Sequence, residues 1–198
     1  MWRFLLRHLW LKMTDLVVSY TSRLTFAGNE FIQVATQIPT GRHHVIPLPV
    51  FGEWSVARIH FHMVWYQTNV IWPLISKWGV QDTLSVDADD EAKAWQASQQ
   101  AVPTLIVMLE DIHGKIVRHV GTLTVDQLAE EGRTPWGQVQ LGWVLLHLHQ
   151  ILLEYTSTLL SMVLYWDQYL AMQKQIRLEQ RDKNEPGWVP TQDTPSNE

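Results

Sequence analysis

The sequence predicts an all-α fold, and three observations support this. Apolar residues recur at intervals of three and four along several long stretches, which is the spacing of amphipathic helices. No stretch shows the alternation of a strand convincingly enough to give a sheet. Proline and glycine concentrate in residues 38–52 and 184–198, outside the periodic stretches.

A chain of 198 residues is long enough for one domain with a sizeable core. We expect this helical domain to occupy residues 13–183. Residues 1–12 form an N-terminal extension of the first helix, with a helix on a membrane surface as the alternative. Residues 184–198 are rich in proline and polar residues, which cannot bury enough apolar surface to order a tail, so we expect it to be flexible.

The first two helices follow from the apolar spacing. We expect the first helix over residues 13–37, with Gly28 as a weak point, and a loop over 38–52. The second helix begins near Trp54 and ends near Lys77. It is apolar on nearly all sides, which predicts burial, and its internal Pro73 predicts a kink or an early end.

The third helix is expected over residues 90–112, with Pro103 as the place where it bends or splits. Thr124 and Gln127 have the spacing of a capping box, in which two side chains satisfy free backbone N–H groups. They predict a short helix over residues 125–131, with Gly132 as its stop.

The final helix is expected from Pro135 to Asp182, with Thr134 as its cap and Pro135 at its first position. At about 100° per residue, one side of this helix is a polar seam. The seam comprises Gln140, Trp143, His147, Gln150, Glu154, Thr158 and Ser161. The opposite flank is apolar and comprises Leu141, Val144, Leu145, Leu148 and Leu152. Such a seam either faces water or lines a pocket inside a bundle.

The second helix carries a histidine that we place in the same interior. His60 and His62 project about 160° apart, so we expect only one of them, His62, to face inward. Tyr66 lies on the same side as His62. The alternative role for His62 is a core histidine hydrogen-bonded to a neighbour. We expect the remaining central histidines at the surface or in loops: His43, His44, His113 and His119.

Composition excludes several classes of function. The net charge of −5 and the lack of a basic stripe argue against nucleic-acid binding. No apolar run approaches the roughly 18 residues that span a bilayer, so we expect no membrane partner. The absence of cysteine excludes disulfides and thiolate chemistry and fits a cytoplasmic protein. Eleven tryptophans predict pockets or interfaces, since indole buries much area and still needs a partner for its N–H.

Two stretches, WSVARIHFHMVWYQ (54–67) and PWGQVQLGWVLLHLHQI (135–151), resemble the signatures of the DinB/YfiT-like superfamily. His62 falls at the position of that family's first metal ligand. His147 and Gln150 match the second histidine and the glutamine of its last helix. The chain departs from the pattern at Trp143, where the family has another histidine.

The resemblance implies a four-helix bundle, often a homodimer, with a divalent metal such as zinc, nickel or iron in a cleft. It further implies a metal-dependent hydrolase or a thiol S-transferase that uses a low-molecular-weight thiol. His62 and His147 would bind the metal, with Glu154 on the same seam completing the site. Tyr66, Trp143 and Gln150 would contact the cofactor or substrate. The alternative is a small-molecule-binding or dimerisation module in which Trp143 occupies the place of the metal.

Overall fold

The computed structural model describes residues 2–45, 52–78, 88–98 and 100–184, with side chains from residue 15 to residue 181 except that of Ala88. The expected tail beyond residue 184 lies outside the described residues. The chain forms two compact units, Met1–Val163 and Leu164–Glu198. The described residues are mostly helical and include one two-stranded sheet, so the all-α prediction is confirmed.

The elements follow one another in chain order. They are α1 (Trp2–Thr36), a 3-10 turn (Thr40–Arg42), α2 (Val56–Tyr66), a π-helical segment (Gln67–Ile71), α3 (Trp72–Ser76), α4 (Ala88–Ala97), α5 (Val102–Val120), α6 (Val125–Ala129), β1 (Glu131–Thr134), β2 (Gly137–Gln140) and α7 (Leu141–Asn184). Residues 2–12 continue the first helix. No helix among the described residues is long and apolar enough to cross a bilayer.

The core of the first unit is built around α2, which packs against α4 and α5, while α1 packs against α5. The largest fully buried side chains come from five helices and the π-helical segment: Leu24 and Phe31 of α1, Ile59 and Met63 of α2, Ile71 of the π-helical segment, Ile75 of α3, Leu105, Leu109 and Ile116 of α5, and Leu141, Leu145 and Leu148 of α7. Each such side chain stabilises the fold by roughly 1.5–3 kcal/mol.

Burial of α2 on nearly all sides is confirmed, and it has a consequence for the histidines. His60 is fully buried and its Nδ1 lies 2.7 Å from the carbonyl oxygen of Val56. His62 is also partly buried. The prediction that only one of the two could face the interior was therefore wrong, because α2 has neighbours on both sides.

Proline shapes the second and third predicted helices. The predicted second helix begins at Val56 and is capped by Ser55, whose hydroxyl accepts a hydrogen bond from the N–H of Arg58. The π-helical turn immediately precedes α3, and Pro73 is the second residue of α3, so the helical path continues past the proline to Ser76. The predicted third helix splits into α4 and α5, and Pro103 likewise occupies the first turn of α5.

Helix α5 extends to Val120, and this overturns the surface placement of His113. His113 is 6% exposed and lies on the apolar face of α5 with Leu109, Ile112 and Ile116. Its Nε2 lies 2.9 Å from the carbonyl oxygen of Leu24 in α1. A surface placement was wrong because the helix continues through residues whose pattern was ambiguous.

The three other histidines expected at the surface or in loops differ in burial. His43 is buried, with Nε2 2.9 Å from the carbonyl oxygen of Ile38, so its surface placement was wrong. His44 is exposed, as expected. His119 is half-buried and its Nε2 lies 3.3 Å from the carbonyl oxygen of Ile75.

A β-hairpin occupies residues 131–140, where the sequence had predicted the start of the final helix. β1 and β2 pair antiparallel, with Thr134 opposite Gly137. Thr134 Oγ1 donates to the carbonyl oxygen of Gly137 at 2.8 Å and accepts from the N–H of Trp136 at 3.2 Å. Gly137 has φ +107°, which favours glycine. Thr134 therefore closes a turn instead of capping a helix, and α7 begins at Leu141.

The capping box at Thr124 and Gln127 is confirmed, with both reciprocal hydrogen bonds formed. Helix α6 ends at Ala129, before the stop predicted at Gly132. Gly132 lies in β1 against the indole of Trp78, where a Cβ would stand 2.8 Å from Cζ2. The glycine therefore serves close packing and does not terminate the helix.

Candidate functional site

The most concentrated polar chemistry in the first unit surrounds Glu91. Nδ1 of His62 lies 2.9 and 3.0 Å from the two carboxylate oxygens of Glu91. A guanidinium nitrogen of Arg58 donates to Oε1 of the same carboxylate at 2.5 Å. All three side chains are between 12% and 15% exposed. One carboxylate thus joins α4 to two successive turns of α2.

Aromatic rings hold Arg58 in place. Its guanidinium carbon lies 4.5 Å from the ring centroid of Trp54, 5.4 Å from that of Trp95 and 5.7 Å from that of Phe61. Cations are attracted to aromatic faces, more strongly where water is excluded. The Arg58–Glu91 pair is therefore better fixed than an ion pair between two freely moving surface side chains.

The pKa of Glu91 reflects these contacts. Burial by itself would raise the pKa of this carboxyl. The hydrogen bond and charge of His62, followed by those of Arg58, outweigh that effect, and the pKa lies below its ordinary value. Glu91 is therefore an anion at neutral pH and acts as the acceptor for both neighbours.

Three aromatic rings surround the imidazole of His62. Its centroid lies 4.9 Å from Trp54, 5.4 Å from Tyr155 and 5.7 Å from Tyr66. Burial raises the pKa of Tyr66 well above its usual range. Burial, followed by the charge of Glu91, raises the pKa of Tyr155 to about 12. Both phenols thus keep their protons at neutral pH.

A cleft of about 290 Å³ opens beside this cluster. Its lining residues are Gly52, Glu53, Trp54, Ile59, Tyr155 and Thr158. The indole of Trp54 and the phenol ring of Tyr155 are nearly parallel, at 11°, with centroids 6.0 Å apart. His62 contacts both of these rings from beneath the lining, so the Arg58–Glu91–His62 cluster supports the aromatic walls of the cleft.

His147 lies in a second group of rings. The indole of Trp143 stacks on it, with centroids 4.9 Å apart and planes at 11°, and the ring of Trp136 approaches edge-on at 5.0 Å. Burial lowers the pKa of His147, and the charge of Glu154 only partly offsets this. The imidazole is therefore neutral at pH 7.

A series of ring contacts links the two predicted histidine ligands. Tyr66 stacks on His62, and its ring meets Trp136 edge-on at 6.4 Å, while Trp136 in turn contacts His147. Tyr66 is 8% exposed, and its hydroxyl has no hydrogen-bond partner within the described ranges. The phenol of Tyr66 and the indole of Trp136 thus connect the two groups.

The seam of α7 mostly faces outward. Gln150 and Glu154 are exposed, and Gln150 donates to Glu154 at 2.9 Å. Trp143 is 41% exposed, whereas His147 is half-buried. The opposite flank, from Leu141 to Leu152, is buried as predicted. The part of the seam formed by Gln150 and Glu154 therefore faces water, which was one of the two interpretations.

The residues present do not fit the metal that the resemblance implies. In the part of the chain that the structure describes, no three histidine or carboxylate side chains are grouped so that they could hold an ion. His62, His147 and Glu154 are not brought together as one ligand set. An indole at position 143 supplies no ligand to a divalent cation.

The sequence did not identify Glu91 as a site residue. Glu91 lies in the first turn of α4, where carboxylates are common because they interact favourably with the helix dipole. The one local signal is its position four residues before Trp95, which places both on one face of α4.

Comparison with known proteins leaves the resemblance as a hypothesis. No protein-family model matches the chain, and no curated protein matches it. Membership in the DinB/YfiT-like superfamily therefore depends on the two sequence stretches that suggested it.

Proposed function

We propose that this protein is a DinB-like helical bundle that binds a small organic molecule without the help of a metal ion. The observation that carries the proposal is the cleft lined by Trp54 and Tyr155, whose rings contact the Arg58–Glu91–His62 cluster. Binding sites for small molecules combine aromatic walls with a few oriented polar groups, and this cleft has both.

The Arg58–Glu91–His62 cluster has a positioning role in this proposal. Arg58 contacts the ring of Trp54, and His62 contacts the rings of both Trp54 and Tyr155. Because Glu91 binds both Arg58 and His62, it fixes the two side chains that contact the rings of the walls. A wall that is already ordered loses less side-chain entropy when a ligand binds.

Trp143 supports the loss of the metal. Its ring covers the imidazole of His147 face to face, at 4.9 Å between centroids. In the family signature a histidine stands at this position. The indole of Trp143 removes one metal ligand, and its apolar ring covers a second one, His147. Both effects disfavour metal binding.

The experiment is a ligand screen by NMR on protein produced without a histidine tag. We expect small aromatic or apolar fragments to shift the indole N–H signal of Trp54, assigned with a Trp54→Phe variant. Glu91→Gln should weaken those shifts, since it loosens both supports of the walls. A screen in which no fragment shifts the Trp54 signal would reject this proposal.

A second candidate is the metal-dependent hydrolase or thiol S-transferase that the resemblance implies. One observation favours it: Nδ1 of His62 is bonded to a carboxylate, which is the arrangement found behind metal-binding histidines. Metal analysis tests it directly. Uptake of close to one equivalent of zinc, nickel or iron would favour the enzyme, and uptake below about a tenth of an equivalent would reject it.

We also propose that the protein forms a homodimer. Leu146, Leu153 and Leu160 recur every seven residues along α7 and are between 36% and 41% exposed. An apolar residue at this interval suits packing against a second helix. Light scattering on the purified protein and on a Leu153→Lys variant tests this: the variant should be monomeric if the stripe is the interface.

A further inference from the structure

We infer that the cleft beside Trp54 binds a small organic cation, namely an amine or quaternary ammonium group attached to a short apolar chain. This inference rests on the proposed function, which requires only that the cleft bind some small molecule. It adds the sign of the ligand's charge and the residues that select it.

The walls of the cleft have the chemistry of a cation site. Trp54 and Tyr155 present aromatic rings, and the negative face of such a ring attracts a cation. The indole of Trp54 already contacts one cation of this protein, the guanidinium of Arg58, at 4.5 Å from its centroid. Ile59 supplies an aliphatic surface for the uncharged part of a ligand.

The charges near the cleft favour the same sign. Glu53 lines the cleft, its side chain is exposed, and no ion pair to it is formed within the described ranges. The positive charge of Arg58 is compensated by Glu91 at 2.5 Å. Glu154 lies one turn of α7 before Thr158, which also lines the cleft. Because Arg58 and Glu91 balance each other, the two further carboxylates of Glu53 and Glu154 leave an excess of negative charge.

The raised pKa of Tyr155 agrees with this excess of negative charge. Burial is the first cause that raises its pKa, and the charges of Glu91 and Glu154 raise it further against the opposing effect of Arg58. Burial disfavours a charge of either sign, but the negative charges of Glu91 and Glu154, which disfavour a phenolate, favour a cation at the same place. The cleft of about 290 Å³ lies near the lower end of the volume range of ligand pockets, which is roughly 300–1,000 Å³, so the ligand is small.

The test compares two probes of nearly equal shape. Choline carries a trimethylammonium group, and 3,3-dimethylbutan-1-ol replaces it with an uncharged tert-butyl group. We expect choline to bind about tenfold more tightly in NMR titrations at low ionic strength, with the Trp54 indole signal shifting. Added salt should reduce the preference, because charge attraction at an open cleft is screened.

Variants assign the selectivity to named residues. Glu53→Gln should lower choline affinity several-fold and leave the affinity of the alcohol unchanged. Tyr155→Leu should weaken choline more than the alcohol, since the leucine keeps an apolar wall without a π face. Glu110→Gln is the control, because Glu110 is an exposed carboxylate on α5 that does not line this cleft.

The outcomes separate this inference from the proposed function. Equal affinity for choline and the alcohol, with the Trp54 signal shifting for both, would overturn the cation inference and leave a small-molecule site standing. A choline preference unaffected by both Glu53→Gln and Tyr155→Leu would also overturn it, since the cation would then bind elsewhere. If neither these probes nor the fragment screen moved the Trp54 signal, the proposed function would fail too.

Discussion

Gly28 of α1 lies directly against the imidazole of His113 of α5. A Cβ built on Gly28 would stand 2.4 Å from Nε2 and 2.5 Å from Cδ2 of that ring. The absence of a side chain at position 28 lets His113 reach the carbonyl oxygen of Leu24, and its Nδ1 lies 3.0 Å from the side-chain oxygen of Gln67. One glycine thus makes room for a polar link among three helical segments.

This relationship predicts the effect of Gly28→Ala. A methyl group at this position requires the His113 ring or the helix backbone to move, and overpacking of this kind costs about 1–3 kcal/mol. We expect the free energy of unfolding, measured by urea denaturation, to fall by about that amount. The usual gain from replacing a helical glycine with alanine should not be observed.

Gly41→Ala is the matched control for Gly28→Ala. No heavy atom lies within 4 Å of a Cβ built on Gly41, and the residue is exposed. Its substitution should change the free energy of unfolding by less than about 0.5 kcal/mol. Equal effects of the two substitutions would contradict the close approach of α1 and α5.

Acid should destabilise the fold through His60. Its pKa is lowered to about 4, mainly by burial, against an ordinary value of 6.5. The folded state therefore binds fewer protons than the unfolded state between these values. Stability is complete above about pH 6.5 and falls as the pH approaches 4, and this one group accounts for about 2 kcal/mol between pH 7.5 and 5.

Urea denaturation of His60→Gln at several pH values checks this prediction. Glutamine does not titrate, so the variant should lose less stability than the wild type between pH 7.5 and 5, whatever its stability at pH 7.5. His44→Gln should keep the wild-type pH dependence, since His44 is exposed. If the free energy of unfolding of His60→Gln fell with pH as steeply as that of the wild type, His60 would not be buried as described.

Glu91 should contribute stability at neutral pH. Because its folded-state pKa is depressed, its contribution is present above the ordinary carboxyl pKa near 4.5 and is lost as the pH falls through the lower folded value. Hydrogen bonds to charged groups contribute about 1.5–3 kcal/mol. We therefore expect Glu91→Gln to lower the free energy of unfolding at pH 7 by about 1–2 kcal/mol.

The neighbouring substitution Asp90→Asn is the control for Glu91→Gln. Asp90 is 66% exposed and lies 3.9 Å from Lys93, so it belongs to the same turn without a buried partner. Its loss should cost less than about 0.5 kcal/mol. The difference in the free energy of unfolding between the two variants should become smaller below pH 4. A difference that persisted there would mean that Glu91 stabilises the fold by packing and not by its charge.

Trp143→His should create metal affinity that the wild type lacks. The variant would carry imidazoles at positions 143 and 147, which one helical turn brings to the same face. We expect the wild type to take up less than about a tenth of an equivalent of zinc, and the variant to bind zinc measurably in isothermal titration. Strong zinc binding by the wild type would contradict the loss of the site.

The spacing of apolar residues predicted those helices in which one face meets the core at every turn. The buried flank of α7 was predicted correctly because Leu141, Leu145, Leu148 and Leu152 meet the core at every turn. The same method failed at residues 131–140. Thr134 and Pro135 suit a helix start and a tight turn equally well, and the hairpin is decided by Gly137 and by the pairing of β1 with β2.

The candidate site was less predictable than the fold, because its partners are distant in the chain. His62 meets Glu91 across 29 residues, and no spacing rule connects a residue of α2 with one of α4. His113 was misplaced for a similar reason: its environment depends on the missing side chain of Gly28. In both cases a contact between helices, and not a local pattern, determines the chemistry.

The π-helical turn at Gln67–Ile71 affects any alignment of this chain with proteins whose corresponding helix has no π turn. A π turn accommodates one more residue than the α-helical path it replaces, and one residue corresponds to about 100° of rotation. Deleting a single residue there would restore an ordinary α-helical turn, and the residues from Trp72 to Ser76 would keep nearly their present directions relative to His62. An alignment that crosses this turn therefore needs a one-residue gap, or it will equate side chains that point in different directions.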